Sequence, residues 1–116
     1  MAIAGLPPLE SASMAKQHYF FKLIPPRSTF PGDITPEERA LMAQHAAHCA
    51  EYFSAGRILA YGPVMAPDAA FGFGVFEVES ESEARSIGDN DPSVLAGMNT
   101  YEIYPMHLAN IQAKCQ

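Results

Sequence analysis

RILAYGPVMAPDAAFGFGVFEVESESE, residues 57–83, decides the fold. Arg57 to Tyr61 reads as a strand ended by Gly62-Pro63. A loop through Pro67-Asp68 then leads into a second strand, Phe71 to Glu79. There Phe71, Phe73 and Val75 face one way, and Gly72, Gly74, Phe76 and Val78 the other, the period-two pattern of a strand. Glycines on one face let a helix approach closely or leave volume for a ligand. Ser80-Glu81-Ser82-Glu83 follows at once as a capping box and starts a short helix to about Gly88. Two strands joined by a short loop, with a helix start directly behind them, form the middle of a split βαβ unit.

The flanks complete that unit. Upstream, Thr35-Pro36-Glu37-Glu38 is a second capping box with proline in the first turn, and it opens a helix to about Ala55. Gly56 supplies the left-handed exit. Before that helix, His18 to Ile24 alternates Tyr19, Phe21 and Leu23 against Phe20, Lys22 and Ile24, so both faces of this strand expect cover. Pro25-Pro26 stops it, and Arg27 to Ile34 loops across with Pro31-Gly32-Asp33 as its turn. Downstream, Asp91-Pro92 opens a helical turn that Gly97 closes, and Tyr101 to Met106 is the last strand. The order β-α-β-β-α-β predicts an α+β ferredoxin-like fold: a four-stranded antiparallel sheet with two helices on one face. The open face would then carry Phe and Tyr side chains with no cover, a hazard in a monomer. Pairing of two copies, sheet against sheet, is the expected remedy.

Residues 1–17 carry Pro7, Pro8 and no periodic pattern, and are expected to be a flexible leader, with Met14 as an alternative start. Residues 18–106 form the domain, and 107–116 a tail with weak helical character. With 116 residues and 48% hydrophobic content, the chain has room for one globular core. Acidic residues outnumber basic ones, 13 to 7, so no basic stripe is present to neutralise nucleic-acid phosphates or to dock on an anionic membrane. The N-terminus lacks the basic region of a signal peptide, and no apolar run is long enough to span a bilayer. Cys49 falls within a helix and Cys115 is penultimate, so two free thiols and a cytoplasmic location are expected.

Within the long helix, Met42, Ala46, Cys49 and Phe53 form one stripe, expected to pack in the core with Cys49 as a small core residue, and Leu41, His45, His48 and Tyr52 the adjoining one. Three stretches resemble a known family when taken together. They are Phe20-Phe21-Lys22-Leu23-Ile24-Pro25-Pro26-Arg27; His45 ahead of Gly56 with Arg57-Ile58-Leu59-Ala60-Tyr61-Gly62-Pro63-Val64 following; and Asp91-Pro92 ahead of Tyr101-Glu102-Ile103-Tyr104-Pro105-Met106. In order and spacing they resemble the YciI-like (YCII-related) family of the dimeric α/β-barrel superfamily, across residues 18–106. The resemblance implies a homodimer whose two sheets face each other as a barrel. It also implies a small-molecule pocket between sheet and helices, and a His–Asp pair at His45 and Asp91 as the catalytic residues. Enzymes of the wider superfamily include isomerases, lyases and cofactor-free monooxygenases acting on small, often aromatic-derived molecules. His48 and Cys49 depart from the family pattern, in which bulkier aromatic residues are usual there.

Each candidate also has a plain structural role. His45 could be a half-buried histidine satisfied by a carbonyl, or a base, since its reference pKa near 6.5 suits proton transfer. Asp91 is an N-cap whose second oxygen remains free to orient an imidazole N–H. Arg27 could take a substrate carboxylate, although an ion pair with a nearby acid is preferred. His48, Tyr61, Gly72 and Gly74 are candidate pocket walls, while Tyr61 and Tyr104 also suit packing at the core or a dimer seam. His45, His48 and Cys49 share a helix face, but His18, His107 and Cys115 sit near the chain ends, so no metal site is expected. Gly72-Phe73-Gly74 lies within a strand and cradles no phosphate. The expected activity is cofactor-free proton abstraction by His45, oriented by Asp91, on a small cyclic molecule, of isomerase or lyase type. The alternative is a dimeric module that binds a metabolite without converting it.

Overall fold

The computed structural model describes residues 16–112. Cys115, all but two residues of the expected leader and the last four of the tail lie outside them. The elements run β1 (Gln17–Ile24), α1 (Pro36–Ser54), β2 (Ile58–Val64), β3 (Phe71–Val78), α2 (Glu81–Asp89), α3 (Pro92–Leu95) and β4 (Thr100–Met106). The sheet order is β2-β3-β1-β4, antiparallel throughout. This is the ferredoxin-like arrangement of an α+β chain, with β1 and β3 central. Residues 107–112 hold no helix. No helix among the described residues is long and apolar enough to cross a membrane.

Local chemistry accounts for the helix starts. Thr35 Oγ1 accepts from the Glu38 N–H at 3.2 Å, and the Glu38 carboxylate accepts from the Thr35 N–H at 3.0 Å, closing the capping box of α1. At α2 the box is offset. Ser80 Oγ accepts from the Glu83 N–H, but the Glu83 carboxylate takes the N–H of Glu79, one residue further back. Gly56, with φ of +80°, carries the chain out of α1 in the left-handed conformation.

The expected stop at Gly62-Pro63 did not materialise, and β2 runs on to Val64. A proline within a sheet is tolerated where the strand has a free side, and β2 is an edge. The opposite edge, β4, likewise carries Pro105 within its span.

One sheet face holds the core. Tyr19, Phe21 and Leu23 of β1 and Phe76 and Val78 of β3 are buried with Ala84 and Ile87 of α2 and Cys49 of α1. The Phe21 ring stacks between Phe76 at 4.9 Å and Tyr101 at 5.3 Å. Tyr101 in turn lies flat on Gly88, where any Cβ would fall 2.7 Å from its ring. The other face presents Phe20, Lys22 and Ile24 beside Phe71, Phe73 and Val75, all partly exposed. Tyr104 adds a ring that is 49% exposed.

Helix α1 is held differently from α2. Of its 19 residues only Cys49 is buried. Phe53, expected in the core stripe, is 51% exposed and meets Tyr61 edge-on at 5.9 Å. The stripe model assumed a helix pressed onto the sheet. Here α1 stands off, and the gap beneath it is a cavity.

Candidate active site

That cavity has a volume of about 370 Å³ and opens between α1, the β2 and β3 strands and the loop after β1. Its walls are predominantly apolar, from Phe21, Leu23, Phe30, Ile34, Phe73 and Phe76 among others, with His45, His48, Asp91 and Asn99 as the polar contributions besides Tyr61. The size and the few polar groups match a small-molecule site.

Gly72 and Gly74 keep it open. A Cβ on Gly74 would stand 3.0 Å from the Phe76 ring, and one on Gly72 would stand 3.2 Å from Leu23 Cβ. Larger residues here would displace those side chains or fill the space above them.

His45 is delivered by the middle of α1 and Asp91 by the turn that begins α3. His45 Nδ1 and Asp91 Oδ2 lie 2.6 Å apart. The two oxygens of Asp91 divide the work. Oδ1 accepts from the Ser93 N–H at 2.9 Å and from Ser93 Oγ at 2.7 Å, capping the short helix. Oδ2 remains for the imidazole. Asp91 is 2% exposed, so its carboxylate is fixed by these bonds rather than by water.

Burial disfavours the imidazolium, but the bond to Asp91 and the neighbouring Cys49 outweigh it, and the His45 pKa is pushed up to about 10. For Asp91 burial acts to raise the pKa, and the bonds from His45 and Ser93 override it, leaving the carboxyl below its ordinary value. Near neutrality the pair is therefore imidazolium and carboxylate, with Nδ1–H donating to Oδ2.

The other sequence candidates separate cleanly. His48 borders the cavity, and its Nε2–H donates to the Ile87 carbonyl at 2.9 Å, while its ring meets Tyr52 edge-on. Tyr61, Gly72 and Gly74 are walls. Arg27 is not among them. Its guanidinium contacts Asp33 at 3.0 Å and binds both oxygens of Glu38 at 2.7 Å, tying the loop to the start of α1. Those bonds hold Glu38 at about 2, well under the usual carboxylate range.

Two residues of the site were not singled out for it from sequence. Asn99 is 2% exposed, borders the cavity, and has Oδ1 without a hydrogen-bond partner. Its Nδ2 reaches only the Met42 sulfur, at 3.6 Å. An unpaired buried polar atom costs about 1–3 kcal/mol. Ser93, fully buried, steadies Asp91. Neither has a signal in its neighbours, because an isolated Asn or Ser before a strand or in a helical turn is ordinary.

Cys49, read from sequence as a small core residue, is buried and also forms a wall. Its Sγ lies 3.8 Å from His45 Nδ1 and 3.7 Å from Nε2. His45, Cys49 and Asp91 offer donor atoms within 4.8 Å of one another, a spacing that a metal ion could bridge. The 2.6 Å His–Asp bond already engages Nδ1 and one carboxylate oxygen, so an ion would have to displace it. The arrangement as it stands is a hydrogen-bonded acid–base pair with a thiol against it.

Comparison with known proteins agrees with this architecture. Residues 23–107 match the YCII-related domain. Among solved structures, 5-chloro-2-hydroxyhydroquinone dehydrochlorinase from Burkholderia phenoliruptrix AC1100, in complex with 2,5-dihydroxybenzoquinone, superimposes with a TM-score of 0.53 at 23% identity. The match covers 77% of this chain and 93% of that one, a likeness of fold. No curated protein matches the chain.

Proposed function

The chain belongs to the YCII-related domain family, and from that premise and the geometry of the cavity we propose a cofactor-free, lyase-type enzyme acting on a small oxygenated ring. The observation that carries this reading is the 2.6 Å contact between His45 Nδ1 and Asp91 Oδ2 at the wall of an apolar cavity. A structural neighbour of the same fold is a dehydrochlorinase of a hydroquinone, which makes phenolic and enolic rings the first class to try.

The raised pKa of His45 refines its role. An imidazolium cannot begin as a base, but it can receive an enolate or phenolate oxygen and give its proton to the adjacent ring carbon. The neutral imidazole left behind then takes a proton from the substrate as the leaving group departs. Asp91 holds the ring by Nδ1 and stabilises its cation throughout, as a carboxylate orienting a histidine does elsewhere. In an apolar pocket these charges act with little screening.

A screen of chlorinated hydroxyhydroquinones and enol-lactones, comparing wild type with His45→Ala and Asp91→Asn, tests the proposal. Turnover by wild type, reduced by about 10²–10⁴ on loss of His45, is expected. Absence of turnover in wild type, or equal turnover by His45→Ala, would sink it. The imidazolium that Asp91 stabilises also favours a second reading, in which the cavity holds a phenolate without converting it. An incubated ligand that raises the Tm and is recovered intact by mass spectrometry would select that reading.

The open sheet face, with Phe20, Phe71, Phe73 and Tyr104, is best explained by a second copy of the chain packed face to face. Sedimentation should give a dimer, and Phe20→Asp should shift it toward monomer.

A further inference from the structure

The polar and apolar parts of the cavity wall come from different stretches of chain. The loop after β1 and the stretch from Met65 to Phe71 give the wall Phe30, Pro31, Ile34, Met65 and Phe71, with no polar side chain among their contributions. Met65 is 69% exposed, so this side is the mouth, and Tyr61 is a polar group near the same rim. The His45 and Asp91 side chains, 16% and 3% exposed, mark the deep side. Among the described residues no lysine or arginine borders the cavity, which leaves the His45 imidazolium as its cation. His45 Nδ1 is turned to Asp91, so the ring edge left for a ligand is the one that carries Nε2. That nitrogen has no oxygen or nitrogen partner among the described residues, only the Cys49 sulfur at 3.7 Å. It is one strong donor, suited to one oxygen.

The volume of about 370 Å³ leaves room beyond a single six-membered ring. The floor extends along β3 from Gly74, opposite Phe21 and Tyr61, to Gly72, opposite Leu23 and Pro63, and so toward the mouth. We propose that the cavity takes a monohydroxylated ring, a phenol or enol, that carries one apolar arm. The single oxygen accepts from His45 Nε2–H, and the arm lies over Gly74 and Gly72 and ends near Met65. A second hydroxyl on such a ligand gives up its water to an apolar wall, at a loss of affinity. A carboxylate fares worse, since its second oxygen finds no guanidinium fork. The inference rests on reading the His45–Asp91 pair as the place where the ligand's oxygen docks, and it narrows the ring class proposed above.

Calorimetric titration of the full chain with phenol, 4-ethylphenol, 4-butylphenol, 4-butylcatechol and 4-butylbenzoate tests it. Affinity should rise about two- to fourfold with each methylene along the phenol series. 4-Butylcatechol should bind about tenfold more weakly than 4-butylphenol, and 4-butylbenzoate more weakly still. In NMR spectra 4-butylphenol should move the imidazole signals of His45 and leave those of His18, on the open sheet face, in place. Gly72→Ala should cut the advantage of 4-butylphenol over phenol while changing the affinity for phenol by less than about twofold, because its Cβ intrudes on the floor under the arm. Melting temperatures establish that the variant is folded, and the wild-type series decides the matter if it is not. Equal affinity for phenol and 4-butylphenol would overturn the proposal, as would a catechol or benzoate that binds as tightly as 4-butylphenol. Unmoved His45 signals, or a butyl advantage untouched in folded Gly72→Ala, would overturn it too. These readouts need no turnover. Absent turnover with the predicted order of affinities would therefore count against the elimination alone, and turnover of a chlorinated hydroxyhydroquinone with the order reversed would count against the present inference alone.

Discussion

Replacing Asp91 with Asn removes one charge from a buried pair while keeping a residue that caps helices well, so the effect should fall on His45 rather than on α3. In wild type the imidazole pKa stands near 10 against an unfolded value of 6.5. A histidine raised in this way contributes its stability in full below pH 6.5 and loses it as the pH climbs through 10. Asp91 has the opposite sign. Its pKa lies below the unfolded value of 3.8, so its contribution is present above that value and is lost as the pH falls through the folded one. The pair should thus support the fold most strongly between about pH 4 and 6.5. The displacement of His45, at about 1.4 kcal/mol per pH unit, corresponds to a contribution on the order of 3–5 kcal/mol across the alkaline limb. Its side chain is only 16% exposed, so solvent screening reduces this modestly. In Asp91→Asn, burial is no longer opposed by a carboxylate, and the imidazole should titrate far below 10. Imidazole NMR titration reads the pKa directly, and urea midpoints from pH 5 to 10 read the linkage. A wild-type His45 titrating near 6.5, or an alkaline loss of stability identical in Asp91→Asn, would refute the reasoning.

Gly88→Ala should be among the more damaging single-methyl changes, because the new Cβ would lie 2.7 Å from the Tyr101 ring that stacks on Phe21. A loss of about 1–3 kcal/mol by chemical denaturation is expected. Thr35→Ala should cost about 0.5–2 kcal/mol, since it removes the side chain that caps α1. Gly74→Val should weaken binding of any cavity ligand, seen by thermal shift, because a Cβ there would stand 3.0 Å from the Phe76 ring and force it to move.

How far the sequence could be read depended on the range of the interactions involved. The capping boxes at Thr35 and Ser80, the glycine exit at Gly56 and the alternation in β3 are local, and each appears where the residues place it, save for the offset arm of Glu83. Pro63 misled because its effect depends on whether the strand has a neighbour on both sides, a property of sheet order rather than of the dipeptide. Phe53 misled for a related reason, since a helical stripe cannot reveal that the helix stands above a void. The nearness of His45 to Asp91 was an expectation from resemblance. Their separation of 46 residues leaves no local pattern that could have produced it. Asn99 was invisible because what distinguishes it is a missing partner.

Both rims of the sheet carry an imino acid, Pro63 on β2 and Pro105 on β4. A ribbon that tried to extend by zipping another chain onto either rim would meet a position with no amide hydrogen to offer. Growth into a fibril by that route is therefore discouraged at both ends.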